Sequence, residues 1–380
     1  MKSVLHKLTC LCAALLLVPA LTYAQVDPVK IKSLVDSLRI AGNLPGLSIS
    51  IIIEENAPLN FSSGFSDKEA NTPLKSSDRF LQGSVGKTYV AAVALKLVEA
   101  GKLKLEEKAS TYLGHYNWFT RIPNANDVTV KMLMNHTSGI MRYEFKEQFT
   151  TDLTNAPDKT WKPEELLHYV LDEQPSFKAG EGWEYSDTNY ILLGMILEKI
   201  TGQPYYTRLQ KEILTPFNLS NTFPSDKINL PGLAQAYAGK DNPFGGQDRV
   251  VKDNGDFIIN PQFEWTGGGI YSTTEDLARW GKLLYGGQVL NSESMSLMLD
   301  GVPAKLGPNS KYGLGVIIRQ TPIGVAYGHS GFFPGYLTEL IYFPEHNVCM
   351  ALQTNSSDFK TIKLGLYRIA LTITEQLVKK

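Results

Sequence analysis

A serine and a lysine three residues apart are the first candidates for chemistry in this sequence. Ser84 and Lys87 stand at the start of a predicted helix over residues 84–100. Because residues three apart share one face of a helix, the lysine amine can lie beside the serine hydroxyl. A neutral amine there takes the hydroxyl proton and makes the serine a nucleophile, and burial and the positive helix end both disfavour the ammonium form. The free backbone N–H groups at that end suit a developing oxyanion.

The Ser-x-x-Lys spacing also has a purely structural explanation. Ser84 is a residue type favoured as a helix N-cap, and Lys87 is typical of a solvated helix face. The same spacing recurs at Ser357 and Lys360, in a predicted loop. A phosphate-binding loop is excluded, since Leu81 stands where such a loop needs its first glycine.

Two later motifs favour the interpretation of Ser84 as a nucleophile. Tyr185-Ser186-Asp187 precedes a predicted helix, and His329-Ser330-Gly331 lies in a predicted strand. Over residues 44–354 this order resembles the superfamily of serine β-lactamases, penicillin-binding DD-peptidases and related esterases. The flanking motifs that share the resemblance are His136-Thr137-Ser138-Gly139, Thr188-Asn189-Tyr190, Gly267-Gly268-Gly269 and Tyr312-Gly313-Leu314-Gly315.

The resemblance implies a role for each motif. Ser84 would be acylated, with Lys87 as the proton acceptor or its partner. Tyr185 would exchange a proton between Ser84 and the leaving group, and a neighbouring ammonium would lower its pKa from a usual value near ~10. The backbone N–H groups of Ser84 and Phe332 would form the oxyanion hole. His329 would occupy the sheet-edge position that is lysine in many β-lactamases.

The remaining implied substrate contacts are Asp187, Ser330 and Gly331, and one of them departs from the family pattern. The middle motif usually ends in asparagine, whose amide can donate a hydrogen bond, whereas the carboxylate of Asp187 only accepts. Near Lys87 it would stabilise the ammonium, so that the lysine would act as a charge that activates Tyr185 rather than as the base.

These residues predict an exported serine hydrolase that works through an acyl-enzyme on Ser84. Because histidine is mostly neutral at pH 7, His329 favours an enzyme similar to D-alanyl-D-alanine carboxypeptidases or D-amino-acid peptidases over a dedicated β-lactamase. A carboxylesterase and a weak β-lactamase remain alternatives, as does a penicillin-binding sensor or scaffold without turnover. The expected partner is a small peptide, amide or ester, and the six scattered histidines predict neither a metal site nor a cofactor.

The elements around these motifs predict a mixed α/β fold. Strands are indicated at 47–53 and 59–65 and again at 312–319, 325–329, 337–343 and 348–354, with helices between and at both ends. To bury their apolar faces, the strands must pair in one antiparallel sheet that the terminal helices cover. We expect one β-lactamase/transpeptidase-like domain over residues 25–380, with the sheet region at about 25–80 and 286–380 and an inserted helical lobe at about 81–285.

Composition and the first residues predict that the protein is exported. The 380 residues carry a formal net charge of −1 without a basic cluster, which excludes nucleic acid as an expected partner. Residues 1–24 read as a signal peptide, with a basic start, a short apolar run and small residues before cleavage at Ala24. Cleavage would leave Cys349 as the one cysteine of the mature chain, so no internal disulfide is expected, and a bacterial periplasm is the predicted location.

Overall fold

The computed structural model describes residues 27–240, 242 and 246–379, so the predicted signal peptide lies outside the described residues. The strands of the described chain are β1 Gly46–Ile53, β2 Leu59–Asp67, β3 Thr72–Pro73, β4 Phe80–Leu81, β5 Thr222–Pro224, β6 Ile270–Ser272, β7 Val302–Pro303, β8 Lys311–Tyr312, β9 Ile317–Thr321, β10 Gly324–Phe333, β11 Tyr336–Phe343 and β12 Val348–Thr354. No described helix is long and apolar enough to cross a membrane.

The α-helices are α1 Pro28–Gly42, α2 Lys87–Glu99, α3 Ala109–Leu113, α4 Val130–Met134, α5 Glu147–Asn155, α6 Pro163–Leu167, α7 Asp187–Thr201, α8 Tyr205–Leu209, α9 Thr274–Tyr285, α10 Ser292–Leu299 and α11 Leu366–Val378. Short 3₁₀ segments cover Gly83–Gly86, Phe119–Arg121, Tyr143–Phe145, His168–Val170 and Pro261–Gly267, and a π-helical turn covers Gln210–Leu214.

The predicted pairing of the two chain ends is confirmed. Antiparallel neighbours form the sheet order β3-β2-β1-β12-β11-β10-β9-β8-β7, in which β1 from the start of the chain lies beside β12 from its end. Ile49 faces Leu352 and Ile51 faces Met350 across this junction. A separate small sheet, β4-β6-β5, was not predicted. The architecture is therefore the mixed α/β, β-lactamase/transpeptidase-like fold that the sequence predicts.

Each face of the large sheet is covered by its own apolar core. The terminal helices α1 and α11 cover one face, where Val35 and Ile369 are fully buried with Ile341 of β11. The second core lies on the other face and continues into the helical middle of the chain. Helix α9 contacts this face directly, although it falls within the range predicted for the lobe. A Cβ at its Gly281 would lie 2.6 Å from the Leu340 side chain.

Two predicted elements are interrupted near Ser84 and Lys87. The predicted helix 84–100 begins with the 3₁₀ turn Gly83–Gly86 and becomes α-helical at Lys87. The predicted strand 312–319 is split into β8 and β9 by a turn in which Gly315 has φ +72°. A Cβ at Gly315 would come within 2.6 Å of Ala91 in α2, so only glycine lets this turn approach the helix.

Candidate active site

Ser84 lies inside the 3₁₀ turn that leads into α2. The turn begins at Gly83, which has φ +52°, and a Cβ there would lie 2.3 Å from the carbonyl oxygen of Phe332. This close approach brings the end of β10 against the serine turn. The residue that caps α2 is Gly86, so the explanation of Ser84 as the helix N-cap is wrong. The predicted proximity of Ser84 and Lys87 is confirmed, with Nζ 3.3 Å from Oγ.

Lys87 is fully buried and makes three polar contacts. Its Nζ donates to Oγ of Ser84, to Oδ1 of Asp187 and to the carbonyl oxygen of Gly267. An ammonium group has three N–H donors, so this environment uses every one. The ion pair with Asp187 is the contact that the sequence predicted conditionally. In this arrangement the Lys87 amine is buried beside one carboxylate, that of Asp187.

A strained segment holds the Gly267 carbonyl in place. Trp265 has φ 36° and ψ −116°, a backbone conformation that non-glycine residues rarely adopt. The next residue is anchored because Thr266 Oγ1 donates to the Tyr190 carbonyl at 2.7 Å. The segment also buries Glu264, whose Oε2 has no hydrogen-bond partner among the described residues. Burial, reinforced by the charge of Asp187, raises the pKa of Glu264 to about 8 despite the Lys87 cation.

Tyr185 lies across the cleft from Ser84. Lys87 Nζ is 4.8 Å from the centroid of the Tyr185 ring, and the tyrosine hydroxyl is buried without a hydrogen-bond partner of good geometry in the described chain. Burial, together with the Asp187 charge, raises the Tyr185 pKa well above its usual value, although nearby Ser84 acts to lower it. The prediction of a lowered tyrosine pKa is therefore wrong, because desolvation and the Asp187 charge outweigh the groups that lower it, Ser84 and Arg142. Tyr185 is a neutral phenol and thus a proton donor.

Asp187 connects Lys87 to a second charged pair. Burial alone would raise the pKa of the Asp187 carboxyl, but the Lys87 and Arg142 cations outweigh burial and hold it below its usual value. Arg142 Nε in turn donates to Oε1 of Glu144 at 2.6 Å. Burial, followed by the charge of Asp187, raises the pKa of Glu144 to about 8. No motif in the sequence indicated that Arg142 or Glu144 belongs to the site.

His329 lies on β10 and is neutral, as the sequence predicted. Its Nδ1 lies 2.6 Å from the Ser330 carbonyl, which can only accept, so Nδ1 carries the proton. Its Nε2 therefore accepts from the Tyr312 hydroxyl at 2.9 Å. Burial, with the Lys87 charge, lowers the His329 pKa to about 3. Both ring nitrogens are thus occupied, and the side chain offers no cation to a substrate carboxylate.

The structure does not bring the Ser330 side chain into the cleft. Its Oγ donates to Glu339 Oε2 at 2.6 Å and accepts from Arg319 at 2.7 Å. These partners lie on the sheet face that α11 covers, where the Arg319 guanidinium stands 4.6 Å from the centroid of the Tyr367 ring. Alternate residues of a strand point to opposite faces, so Ser330 points away when His329 points in. Any contact of Ser330 with substrate would have to come from its backbone.

Gly331 and Phe332 complete the wall of the cleft. A Cβ at Gly331 would lie 1.9 Å from the Gln82 carbonyl oxygen, so only glycine allows β10 to pass this close to the serine turn. The backbone of Phe332 lies against Gly83, next to Ser84. The Phe332 side chain is 44% exposed and stacks on Phe359 outside the cleft. The lack of a side chain at Gly331 therefore allows the close packing of β10 on the serine turn, and Phe332 faces that turn with its backbone.

His136 is a further residue that sequence reasoning did not assign to the site. It has φ 64°, and its Nδ1 accepts from the backbone N–H of Ser186 at 3.2 Å. Its ring centroid lies 4.3 Å from that of Tyr185, which rests on it. The His136-Thr137-Ser138-Gly139 motif was the sequence feature that could have identified this contact with Tyr185. Among the described residues, no group of three or more His, Cys, Asp or Glu side chains is placed to hold a metal ion.

Several known proteins resemble this chain. Penicillin-binding protein 4* of Bacillus subtilis (strain 168) is 26% identical over 304 residues, which cover 78% of this chain and 64% of that protein. The D-amino acid amidase from Ochrobactrum anthropi SV3, solved with L-phenylalanine amide, is 23% identical with a TM-score of 0.79, covering 92% of this chain and 98% of that one. A D-stereospecific amidohydrolase from Streptomyces sp. is 24% identical with a TM-score of 0.74, covering 87% and 95%.

The extent of these likenesses differs. The matched region spans less than two thirds of the length of the Bacillus relative. The amidase and the amidohydrolase have the same fold as this chain, at low sequence identity. A family model described as Beta-lactamase matches residues 31–372, from within α1 to within α11. That range contains the serine turn, the buried lysine and the tyrosine across the cleft from them. By the extent of this match, the chain belongs to the Beta-lactamase family.

Proposed function

We propose that this protein is a serine hydrolase that forms an acyl-enzyme on Ser84. The observation that carries the proposal is the position of Ser84 Oγ, 3.3 Å from the buried Nζ of Lys87 and beside Tyr185. The neutral amine form of Lys87 is the proposed base, because Tyr185 is a neutral phenol and His329 has both nitrogens engaged. Tyr185 is then the acid that protonates the leaving group.

The proposed reaction has two halves. Ser84 Oγ attacks the substrate carbonyl while Lys87 takes its proton, and the backbone N–H groups of Ser84 and Phe332 stabilise the oxyanion. Tyr185 gives its proton to the leaving nitrogen, so that the amine departs neutral. Water then attacks the acyl-enzyme through the same groups in reverse, which releases the acid and restores Ser84.

The proposed substrate is a small amide of a D-amino acid, or a short peptide that begins with one. A carboxypeptidase must hold the terminal carboxylate of its substrate, and the sheet-edge position that would do so carries the neutral His329. Of the nearby cations, Lys87 is paired with Asp187 and Arg142 with Glu144. The D-configuration rests on the names of the similar amidase and amidohydrolase. This narrows the prediction, which included D-alanyl-D-alanine carboxypeptidases.

The test is ammonia release from D-phenylalanine amide by the purified mature protein, with the Ser84→Ala variant as control. We expect turnover by the wild type and a loss of roughly 10⁶-fold in the variant, the scale seen when a serine nucleophile is removed. Parallel assays use a D-Ala-D-Ala peptide, p-nitrophenyl acetate and benzylpenicillin.

The other outcomes are equally informative. Cleavage of the peptide alone would restore the carboxypeptidase, and cleavage of the ester alone would indicate a carboxylesterase. A lasting benzylpenicillin adduct on Ser84 without turnover of any substrate would indicate a penicillin-binding sensor. Undiminished turnover by Ser84→Ala would refute the proposed nucleophile.

We also propose that the protein is exported to a bacterial periplasm. The support is the pattern of residues 1–24, which lie outside the described structure. Expression of the full sequence in a Gram-negative host tests this, because cleavage at the predicted site leaves Gln25 as the N-terminus of a periplasmic protein. Recovery of the uncleaved chain in the membrane fraction would contradict it.

A further inference from the structure

A guanidinium group lies against the ring of the proposed acid, and the proposed reaction gives it no role. The guanidinium carbon of Arg142 lies 5.3 Å from the centroid of the Tyr185 ring and 3.9 Å from the centroid of the Phe145 ring. Both distances fall within the ~6 Å over which a cation interacts favourably with the face of an aromatic ring. A positive charge therefore stands over the ring of the residue that must release a proton to the leaving group.

An ion pair and a ring contact hold Arg142 in this position. Its Nε donates to Oε1 of Glu144 at 2.6 Å, and the side chains of the pair are 27% and 13% exposed. The Phe145 side chain is 72% exposed, so this large apolar group packs on the guanidinium at the surface and not in the core. The guanidinium is thus fixed beside Tyr185 by contacts within the protein itself.

Proton release by Tyr185 creates a negative charge in a poor environment for one. The hydroxyl oxygen is buried without a hydrogen-bond partner of good geometry in the described chain, so few donors are at hand for a phenolate. Burial and the charge of Asp187 raise the pKa of Tyr185, whereas Ser84 and Arg142 act to lower it. Without a cation close to the ring, the phenol would be too weak an acid for the step assigned to it.

Lys87 cannot be that cation throughout the reaction. Its Nζ lies 4.8 Å from the centroid of the Tyr185 ring, but its charge changes as protons move. The amine is neutral when it takes the serine proton, and it becomes neutral again when it passes that proton on. A guanidinium is not deprotonated in proteins, so Arg142 keeps its charge at every step.

We propose that Arg142 is the positioning residue of the acid Tyr185, and that its permanent charge over the ring stabilises the phenolate formed as the leaving group departs. The inference rests on the proposed function, since it assumes the acid role of Tyr185. Arg142 acts through the tyrosine and neither gains nor loses a proton.

The step balances in protons and electrons. The bond between the carbonyl carbon and the leaving nitrogen breaks, and its electron pair stays on the nitrogen. The Tyr185 proton goes to that nitrogen, so the amine departs neutral and a phenolate remains. Lys87 holds the proton taken from Ser84 and returns it to the phenolate oxygen. The serine is then acylated, while Lys87 and Tyr185 have their starting protons.

The experiment compares substrates whose leaving groups differ in their need for a proton. The leaving groups of D-phenylalanine amide and D-phenylalanine methyl ester need one, whereas p-nitrophenolate leaves p-nitrophenyl acetate without one. In Arg142→Met, kcat/KM should fall by about 100-fold for the first two, the lower end of what a general acid contributes, and by less than about threefold for p-nitrophenyl acetate. Arg142→Lys returns a charge and should recover part of the loss. An equal loss on all three substrates, or no loss on any, would overturn the proposal.

Two further variants separate the charge of Arg142 from its ion pair. Arg142→Met/Glu144→Leu replaces the pair with apolar side chains, a change that often preserves the fold, and it should show the same selective loss. Glu144→Gln is the matched control, because it keeps the guanidinium, and it should show no selective loss. Recovery of amide activity in the double variant, or a selective loss in Glu144→Gln, would also overturn the proposal. Urea unfolding checks that each variant is folded.

The wild-type activities distinguish failure of this inference from failure of the proposed function. If the protein cleaves esters only, the methyl ester and p-nitrophenyl acetate make the same comparison. Cleavage of p-nitrophenyl acetate alone would show that Tyr185 does not act as an acid, and would overturn the role of Arg142 while leaving Ser84 as the nucleophile. Failure to cleave any of the three would refute the proposed function, and the role of Arg142 with it.

Discussion

Replacing Glu264 with glutamine should remove a large part of the loss of stability at alkaline pH. Glu264 is 7% exposed, its Oε2 has no partner in the described chain, and its pKa rises from a usual 4.5 to about 8. The folded protein therefore holds this proton more tightly than the unfolded chain does. The stabilisation that this bound proton gives the folded state is complete below pH 4.5 and is lost as the pH rises to about 8. At about 1.4 kcal/mol per pH unit, the loss between pH 5 and pH 9 is roughly 4 kcal/mol.

The measurement is the free energy of unfolding in urea at intervals from pH 5 to pH 9. Between these limits, the value for Glu264→Gln should fall by roughly 4 kcal/mol less than that of the wild type. The comparison of slopes cancels any constant cost of the buried amide. Glu181→Gln, at an exposed position, is the matched control and should follow the wild type. Parallel curves for wild type and Glu264→Gln would show that the carboxyl finds a partner or water in solution, and would refute the reasoning.

Two further predictions concern β10 and the strands on either side of it. Gly331→Ala should push the strand away from the serine turn, because its Cβ would lie 1.9 Å from the Gln82 carbonyl oxygen, and kcat should fall by about 10²–10³-fold, the effect of losing an oxyanion donor. A kcat within twofold of the wild type would contradict this. Glu339→Gln leaves Arg319 buried without its counter-ion and should destabilise the fold by about 3–5 kcal/mol in urea unfolding, and an effect below 1 kcal/mol would contradict a buried pair.

The sequence predicted the elements whose residues repeat with a clear period. Strand β12 has the predicted bounds, because an apolar run of strand length forms it. The spacing of Ser84 and Lys87 predicted their contact for a similar local reason. Pairing of β1 with β12 also followed, since strands at both ends of the chain have no other way to bury their apolar faces.

The features that the sequence could not predict depend on residues distant in the chain. Glu144 and Glu264 lie in 3₁₀ segments without periodicity, and only the packed fold brings them to Asp187. The prediction for Tyr185 failed because its sign depends on burial, which a motif does not report. Ser330 resembles a substrate contact by its motif, yet Glu339 on the neighbouring strand and Arg319 determine where its hydroxyl points.

The charges around Ser84 also argue for the kind of substrate. Lys87 and Arg142 are each paired with a carboxyl group, and the histidine on β10 is neutral. A substrate with a carboxylate next to the scissile bond would therefore bring a second negative charge near Asp187, and a third when Glu144 ionises. An amide or ester avoids that repulsion. Because burial and the charge of Asp187 raise the pKa of Glu144 to about 8, the site becomes more negative as the pH rises through that value, and the preference for uncharged or cationic substrates should strengthen at alkaline pH.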